Sequence, residues 1–154
     1  MSAAPQLFNT PIESGVRSLC LLGAAFPDAV SIDRLVVLDH VIVHTGDFGG
    51  PDSLHPPSPL RVAEPLVRRE LVRRGLLLFK SRGLVSELVC DQGLLWQAAD
   101  PADPFLECFA TEYNIQLRSC ARWTWDRFGS FTESDLSRFF GDHVVAAVTA
   151  EISE

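Results

Sequence analysis

His40 and His44 stand four residues apart, with Asp39, Asp47 and His55 close by in sequence. Two histidines at i and i+4 share one helix face, which is a spacing that can hold zinc. The hydrolytic form of that pattern places a glutamate directly after the first histidine to act as general base. Here that position is Val41. The simpler reading is a helix end, where a histidine complements the dipole and bonds the last free carbonyls. Asp47 and Asp52 flank Gly49, Gly50 and Pro51, and a glycine-rich turn can cradle phosphate. No lysine–serine/threonine pair of the Walker type follows it, which argues against nucleotide hydrolysis and for a loop shaped by glycines and pinned by aspartate side-chain bonds. Ser53 and Ser58 lie near His55 without the GxSxG elbow that exposes a serine nucleophile. Cys20, Cys90, Cys108 and Cys120 form no CxxC pair. They read as small buried hydrophobes in a reducing compartment. The expectation is a chain with no catalytic residues, no metal and no cofactor.

The charges are distributed more tellingly. The chain has 13 bases and 20 acids, a net charge of −7. Seven of the bases (Arg61, Arg68, Arg69, Arg73, Arg74, Lys80, Arg82) fall between residues 61 and 82, opposed there by Glu64 and Glu70 alone. That segment therefore carries +5, which leaves −12 on the remainder. A basic face on an acidic body attracts a short stretch of phosphate or carboxylate and repels a long polyanion. The residues expected to make the contact are Arg69, Arg73, Arg74 and Lys80; the plainer reading is a solvated helix face balanced by Glu70. Leu77 among them suits a protein interface better than a DNA groove.

The elements that must carry these residues follow from caps and periodicity. Thr10, Pro11 and Glu13 make a helix start, and that helix should run to about Phe26, before Pro27. Ser31 caps a second helix to about His44, whose β-branched end also suits a strand. The stretch TGDFGGPDSLHPPSP, Thr45 to Pro59, holds three glycines and four prolines and excludes regular structure. It is long for a connector, and such loops are usually functional or disordered. Its Phe48, Leu54 and His55 point to packing, and Asp47, Phe48, Leu54 and His55 are taken as a partner-binding loop.

A third helix should span about Pro65 to Ser81 and end at Gly83. Val67, Leu71, Val72, Gly75, Leu78 and Phe79 share its inner side, and Arg69, Arg73 and Lys80 its outer side. Gly75 invites a break. Leu84 to Val89 and Leu94 to Ala98 alternate as a hairpin around a bulged turn at Asp91-Gln92-Gly93. Asp103 should cap a further helix reaching Trp125, with Phe105, Phe109, Tyr113, Leu117 and Cys120 as its apolar stripe. Trp123 and Trp125 are read as core rather than as interface anchors, a role tryptophans also take. A last helical region opens at Thr132, contains Leu136, Phe139, Phe140, Val144 and Val148, and kinks or divides at Gly141.

Helix followed by a two-stranded wing is the second half of a winged helix-turn-helix. The expected fold class is mainly α with a small β-hairpin: one winged helix-turn-helix-like domain, its core at about residues 10–98 and a C-terminal helical extension at about 103–154. A chain of this length buries roughly 70% of its unfolded surface without staples. No apolar run approaches the ~20 residues of a membrane span, and MSAAPQLFNTP lacks the basic flank and apolar core of a signal peptide. The expected location is cytoplasmic.

Three strings, NTPIESGVRSLCLLGAAFP, LDHVIVHTGDFGGPDSLHPPSPLR and VRRELVRRGLLLFKSRGLV, resemble a known family. It is the middle component of ABC-three component systems, bacterial conflict operons related to Lamassu antiphage defence. The resemblance covers roughly residues 9 to 125 and is most specific in the HTGDFGGPDSLHP loop. It implies a non-enzymatic adaptor between an SMC/Rad50-like ABC ATPase and an effector subunit of the same operon, with DNA contacted through the complex and no membrane partner. A free-standing winged-helix transcription regulator is the alternative. It would need a symmetric dimer, and the −12 body weighs against it. A small hydrolase or metalloenzyme lacks a credible site.

Overall fold

Thr10 opens the first helix by accepting a hydrogen bond from the Glu13 amide at 3.2 Å, with Pro11 in the first turn. This satisfies one of the donors a helix leaves unpaired at its start. The structure, a computed structural model, describes residues 10–56 and 64–141, with the backbone alone for 64–67. In it α1 spans Pro11–Ala25 and ends at Phe26. Ser31 caps α2 (Ile32–Val43) through the Arg34 amide at 3.2 Å. α2 stays helical through its β-branched end because Leu38, Val41, Ile42 and Val43 are all buried, so packing outweighs the local preference.

Between these helices lies β1 (Val30–Ser31), which pairs antiparallel with the hairpin as Val30↔Trp96 and Ser31↔Leu95. Two residues are too few for alternation to announce a strand. A 3-10 turn, Thr45–Phe48, follows α2 and opens the stretch expected to hold no regular structure; its glycine stop, Gly49 at φ 81, ends it.

α3 runs unbroken over Glu64–Ser81. The break expected at Gly75 does not occur, for a packing reason. Gly75 lies against Gly15 of α1, and a Cβ there would stand 2.7 Å from both the Gly15 Cα and the Pro11 carbonyl oxygen. The close approach of the two helices offsets the intrinsic cost of a glycine. Of the expected inner side of α3, Val72, Gly75 and Phe79 are buried, Leu71 and Leu78 are half-buried and the Val67 side chain lies outside the described residues; Leu76, not expected there, is buried as well.

β2 (Val85–Cys90) and β3 (Gly93–Ala98) form the expected hairpin, with register Val85↔Ala98 through Cys90↔Gly93. Asp91 and Gln92 alone connect the strands, one residue fewer than expected, and Gly93 takes φ 102, which favours glycine. The sheet order is β1-β3-β2.

The single helix expected from Asp103 to Trp125 is two. α4 (Ala102–Glu107) has Asp103 inside its first turn, with Pro101 at the cap. α5 (Glu112–Phe128) begins afresh at Thr111, which is extended (φ −67, ψ 152) and accepts from the Asn114 amide at 3.3 Å. A threonine cap competes with helix continuation, and this one breaks the stripe: Leu117 and Cys120 are buried, whereas Phe109 and Tyr113 reach the surface.

A final helix, α6, is described over 133–141. Thr132 and Asp135 cap it reciprocally at 3.0 and 3.3 Å. Val144 and Val148 lie outside the described residues.

α1 packs on α3 and α5, and α2 packs on the same pair. Phe128, fully buried at the end of α5, gathers Phe48, Phe131, Phe139 and Phe140 around it at centroid distances of 5.3–6.2 Å. Arg34 of α2 reaches the carbonyls of Phe128 and Gly129 at 3.4 and 3.3 Å, closing the end of α5. Among the described residues the chain is mainly helical with one small antiparallel sheet. No helix among them is long and apolar enough to cross a membrane.

Candidate functional site

The outer side of α3 projects its bases into solvent. Arg69, Arg73, Arg74 and Lys80 are all exposed, and each has an acidic neighbour. Arg69 pairs with Asp33 at the start of α2. Arg73 and Arg74 share Glu70, at 3.1 Å each. Hydrogen bonds from Arg73 and then Arg74 hold the Glu70 carboxyl below its usual pKa, and Glu70 raises that of Arg73. Lys80 meets Glu87 of β2 at 3.0 Å and ties the helix to the hairpin. Exposed pairs like these are worth little individually and exchange readily with other anions. The ridge is thus turned outward, with its charge partly answered by three acids. Leu77, 39% exposed, lies among the bases. Arg69 also borders a groove of about 420 Å³ between α2 and α6, with Asp33, Arg34 and Glu133 in its walls.

The loop after α2 packs rather than floats. Phe48 enters the aromatic cluster, and Leu54 lies against the core. His55 stacks on Tyr113 of α5 and shares a 2.9 Å hydrogen bond with its hydroxyl. Gly50 sits on the Trp123 indole so closely that a Cβ would come within 2.7 Å of it. The expected aspartate pins are replaced by hydroxyls. Thr45 Oγ1 donates to the Pro51 carbonyl at 2.8 Å, and Ser53 Oγ accepts from the Gly46 amide at 3.0 Å. Asp47 and Asp52 are exposed. Of the four loop residues singled out, then, Phe48, Leu54 and His55 turn onto the chain itself, and Asp47 faces solvent.

His40 and His44 are both buried, with ring centroids 4.5 Å apart, and His44 ends α2 as expected of a histidine there. Among the described residues no group of three or more His, Cys, Asp and Glu side chains is placed to hold a metal ion. Ser58 lies outside the described residues. The cysteine expectation holds for two of the four. Cys20 and Cys120 are buried, while Cys90 and Cys108 are exposed, at the end of β2 and just after α4. Their positions at chain turns override their apolar neighbours. Burial pushes the Cys20 thiol up to about 12 and raises that of Cys120, which makes both poor nucleophiles.

A buried ionic cluster that the sequence did not lead one to expect lies among α1, α2 and α3. Asp39 of α2, fully buried, accepts from Arg17 Nε of α1 at 2.8 Å and from Arg68 Nη1 of α3 at 2.6 Å. One carboxylate thus joins three helices. Burial works against the Arg17 charge, but the charge of Asp39 and its hydrogen bonds outweigh it and raise the arginine pKa. The same surroundings depress His55, from its usual 6.5 to about 4, through burial first and then the Arg17 charge. The available signal was Asp39 itself, an acid whose helical neighbours at four residues on either side, Leu35 and Val43, are both apolar.

With this geometry in view, the chain can be set beside known proteins. No curated protein and no solved structure gives a match. Residues 7–149 match the family described as ABC-three component system Middle Component 2. That covers nearly the whole sequence, and the chain belongs to the family of ABC-three component system middle components.

Proposed function

We propose that this chain is the non-catalytic adaptor of its system, joining an SMC/Rad50-like ABC ATPase to an effector in a bacterial, Lamassu-like antiphage defence. The family match over residues 7–149 carries the reading, because a middle component works with other components. The order helix, short strand, helix, helix, hairpin, with sheet order β1-β3-β2, supports a winged helix-turn-helix core at about residues 10–98. The C-terminal helices are an extension of the same domain. In that scheme α3 is the presenting helix, and Arg69, Arg73, Arg74 and Lys80 meet carboxylates of a partner subunit or the phosphates of DNA held by the complex. The loop adds a second contact through Asp47, with Phe48, Leu54 and His55 fixing its shape. The adaptor acts in the cytoplasm and needs no cofactor.

The test is co-expression of the tagged chain with the ATPase and effector components of its system. The ATPase and effector should co-purify with each other only when this chain is present. Equal association of the two in its absence would contradict the linking role.

A further inference from the structure

The hairpin end is the part of the surface that the adaptor reading leaves unexplained. Val85, Glu87 and Val89 share one face of the hairpin with Ala98, Trp96 and Leu94. On that face Val85, Trp96 and Ala98 are buried, but Val89 is 86% exposed and Leu94 is 44% exposed. The hairpin therefore runs past the body it covers. On the opposite face Leu88 is also exposed. Among the described residues β2 pairs with β3 alone, so its other edge offers a row of backbone donors and acceptors. Such edges are normally blunted by lysine, proline, a bulge or an unpaired inward charge. β2 reads Val-Ser-Glu-Leu-Val-Cys, and its one charge, Glu87, is already held by Lys80. An apolar, unguarded edge strand invites another strand.

We propose that the open edge of β2 and the apolar hairpin end receive an extended segment from another component of the system, added as a fourth strand. This rests on the reading of the chain as a subunit of a larger assembly. The segment is apolar at alternate positions, to extend the face that carries Val89 and Leu94. It carries an acidic residue at the end facing Lys80 and Arg82, the bases that precede the strand. DNA does not suit the site, because Leu84 to Ala98 contains Glu87 and Asp91 and no base, so a phosphate would meet a negative end. A second copy suits the site less well, because its own β2 edge brings a single acid, Glu87, that Lys80 already holds.

The test uses the full chain, tagged and co-expressed with the ATPase and effector components. Val89→Lys/Leu94→Lys alters side chains that the fold leaves exposed, so its circular dichroism and melting temperature should stay close to those of the parent. Its capture of one component should fall at least about tenfold. In the complex of the parent chain, hydrogen exchange should slow at amides within Val85–Cys90, which covers the case of a variant that fails to fold. Undiminished capture by the variant, or a complex in which Val85–Cys90 exchanges as fast as in the free chain, overturns the hairpin site and leaves the adaptor reading standing. A variant that loses only self-association, or only DNA retention, overturns it in favour of a second copy or of nucleic acid. Failure of the parent chain to capture either component overturns both.

Discussion

Asp39 holds two guanidinium groups inside the core, and it has no surface role to explain it. Removing the acid from such a cluster leaves uncompensated positive charge in low dielectric, a loss of about 3–5 kcal/mol. Asp39→Asn should lower the urea midpoint accordingly, and a loss under about 1 kcal/mol would show that water reaches the arginines. His55 provides a pH signature. Its folded pKa of about 4 lies below the usual 6.5, so between those values the unfolded chain binds a proton that the folded chain refuses. Stability is fully present above pH 6.5 and declines as pH falls toward 4. His55→Gln should flatten the melting temperature across this window, and parallel profiles for parent and variant would remove His55 from the account. The sequence pointed to packing for His55, which packs on Tyr113, but it gave neither its partner nor the cluster around Asp39. Asp39 stood out only as a charge amid apolar neighbours, and its partners Arg17 and Arg68 lie 22 and 29 residues away.

At the scale of elements, local chemistry was legible and tertiary chemistry was not. The caps at Thr10 and Ser31 are where the sequence places them, because a cap is decided within four residues. β1 depended on the hairpin lying opposite Val30, whereas the restart of α5 is a local cap at Thr111 that the continuing apolar stripe concealed. The two caps also differ in a measurable way. Thr10 serves α1 alone, whereas Ser31 Oγ additionally donates to Glu133 of α6 at 2.6 Å. Thr10→Ala should cost about 1 kcal/mol, and Ser31→Ala should cost more. Equal losses in chemical denaturation would mean that the α2–α6 bond contributes nothing. Gly75→Ala probes the unbroken α3. Since its Cβ would strike backbone atoms of α1 at 2.6–2.7 Å, the substitution should destabilise by about 1–3 kcal/mol, despite alanine's better helix propensity. A stabilised variant would show that α1 and α3 separate easily.

On the scale of the whole molecule, the decisive feature is the separation of charge: +5 over residues 61–82 on a body of −12. The sequence alone revealed this segregation, and amphipathic spacing indicated which bases would face outward. It set Glu70 against those bases but did not reveal that Asp33 and Glu87 also sit beside them, because these two pairings depend on how α2 and the hairpin pack on α3. Surface pairs of this kind moderate the field without abolishing it, so an approaching carboxylate competes with a weak intramolecular partner. Binding through this face should therefore weaken as salt rises. The most direct measurement is quantitative capture of the ATPase and effector components by the Arg69→Glu/Arg73→Glu chain, alongside its melting temperature. The variant should be a folded protein whose capture of a component is strongly reduced and whose residual binding has lost its salt dependence. A folded variant that captures both components as well as the parent, with the same salt dependence, would contradict binding through this face.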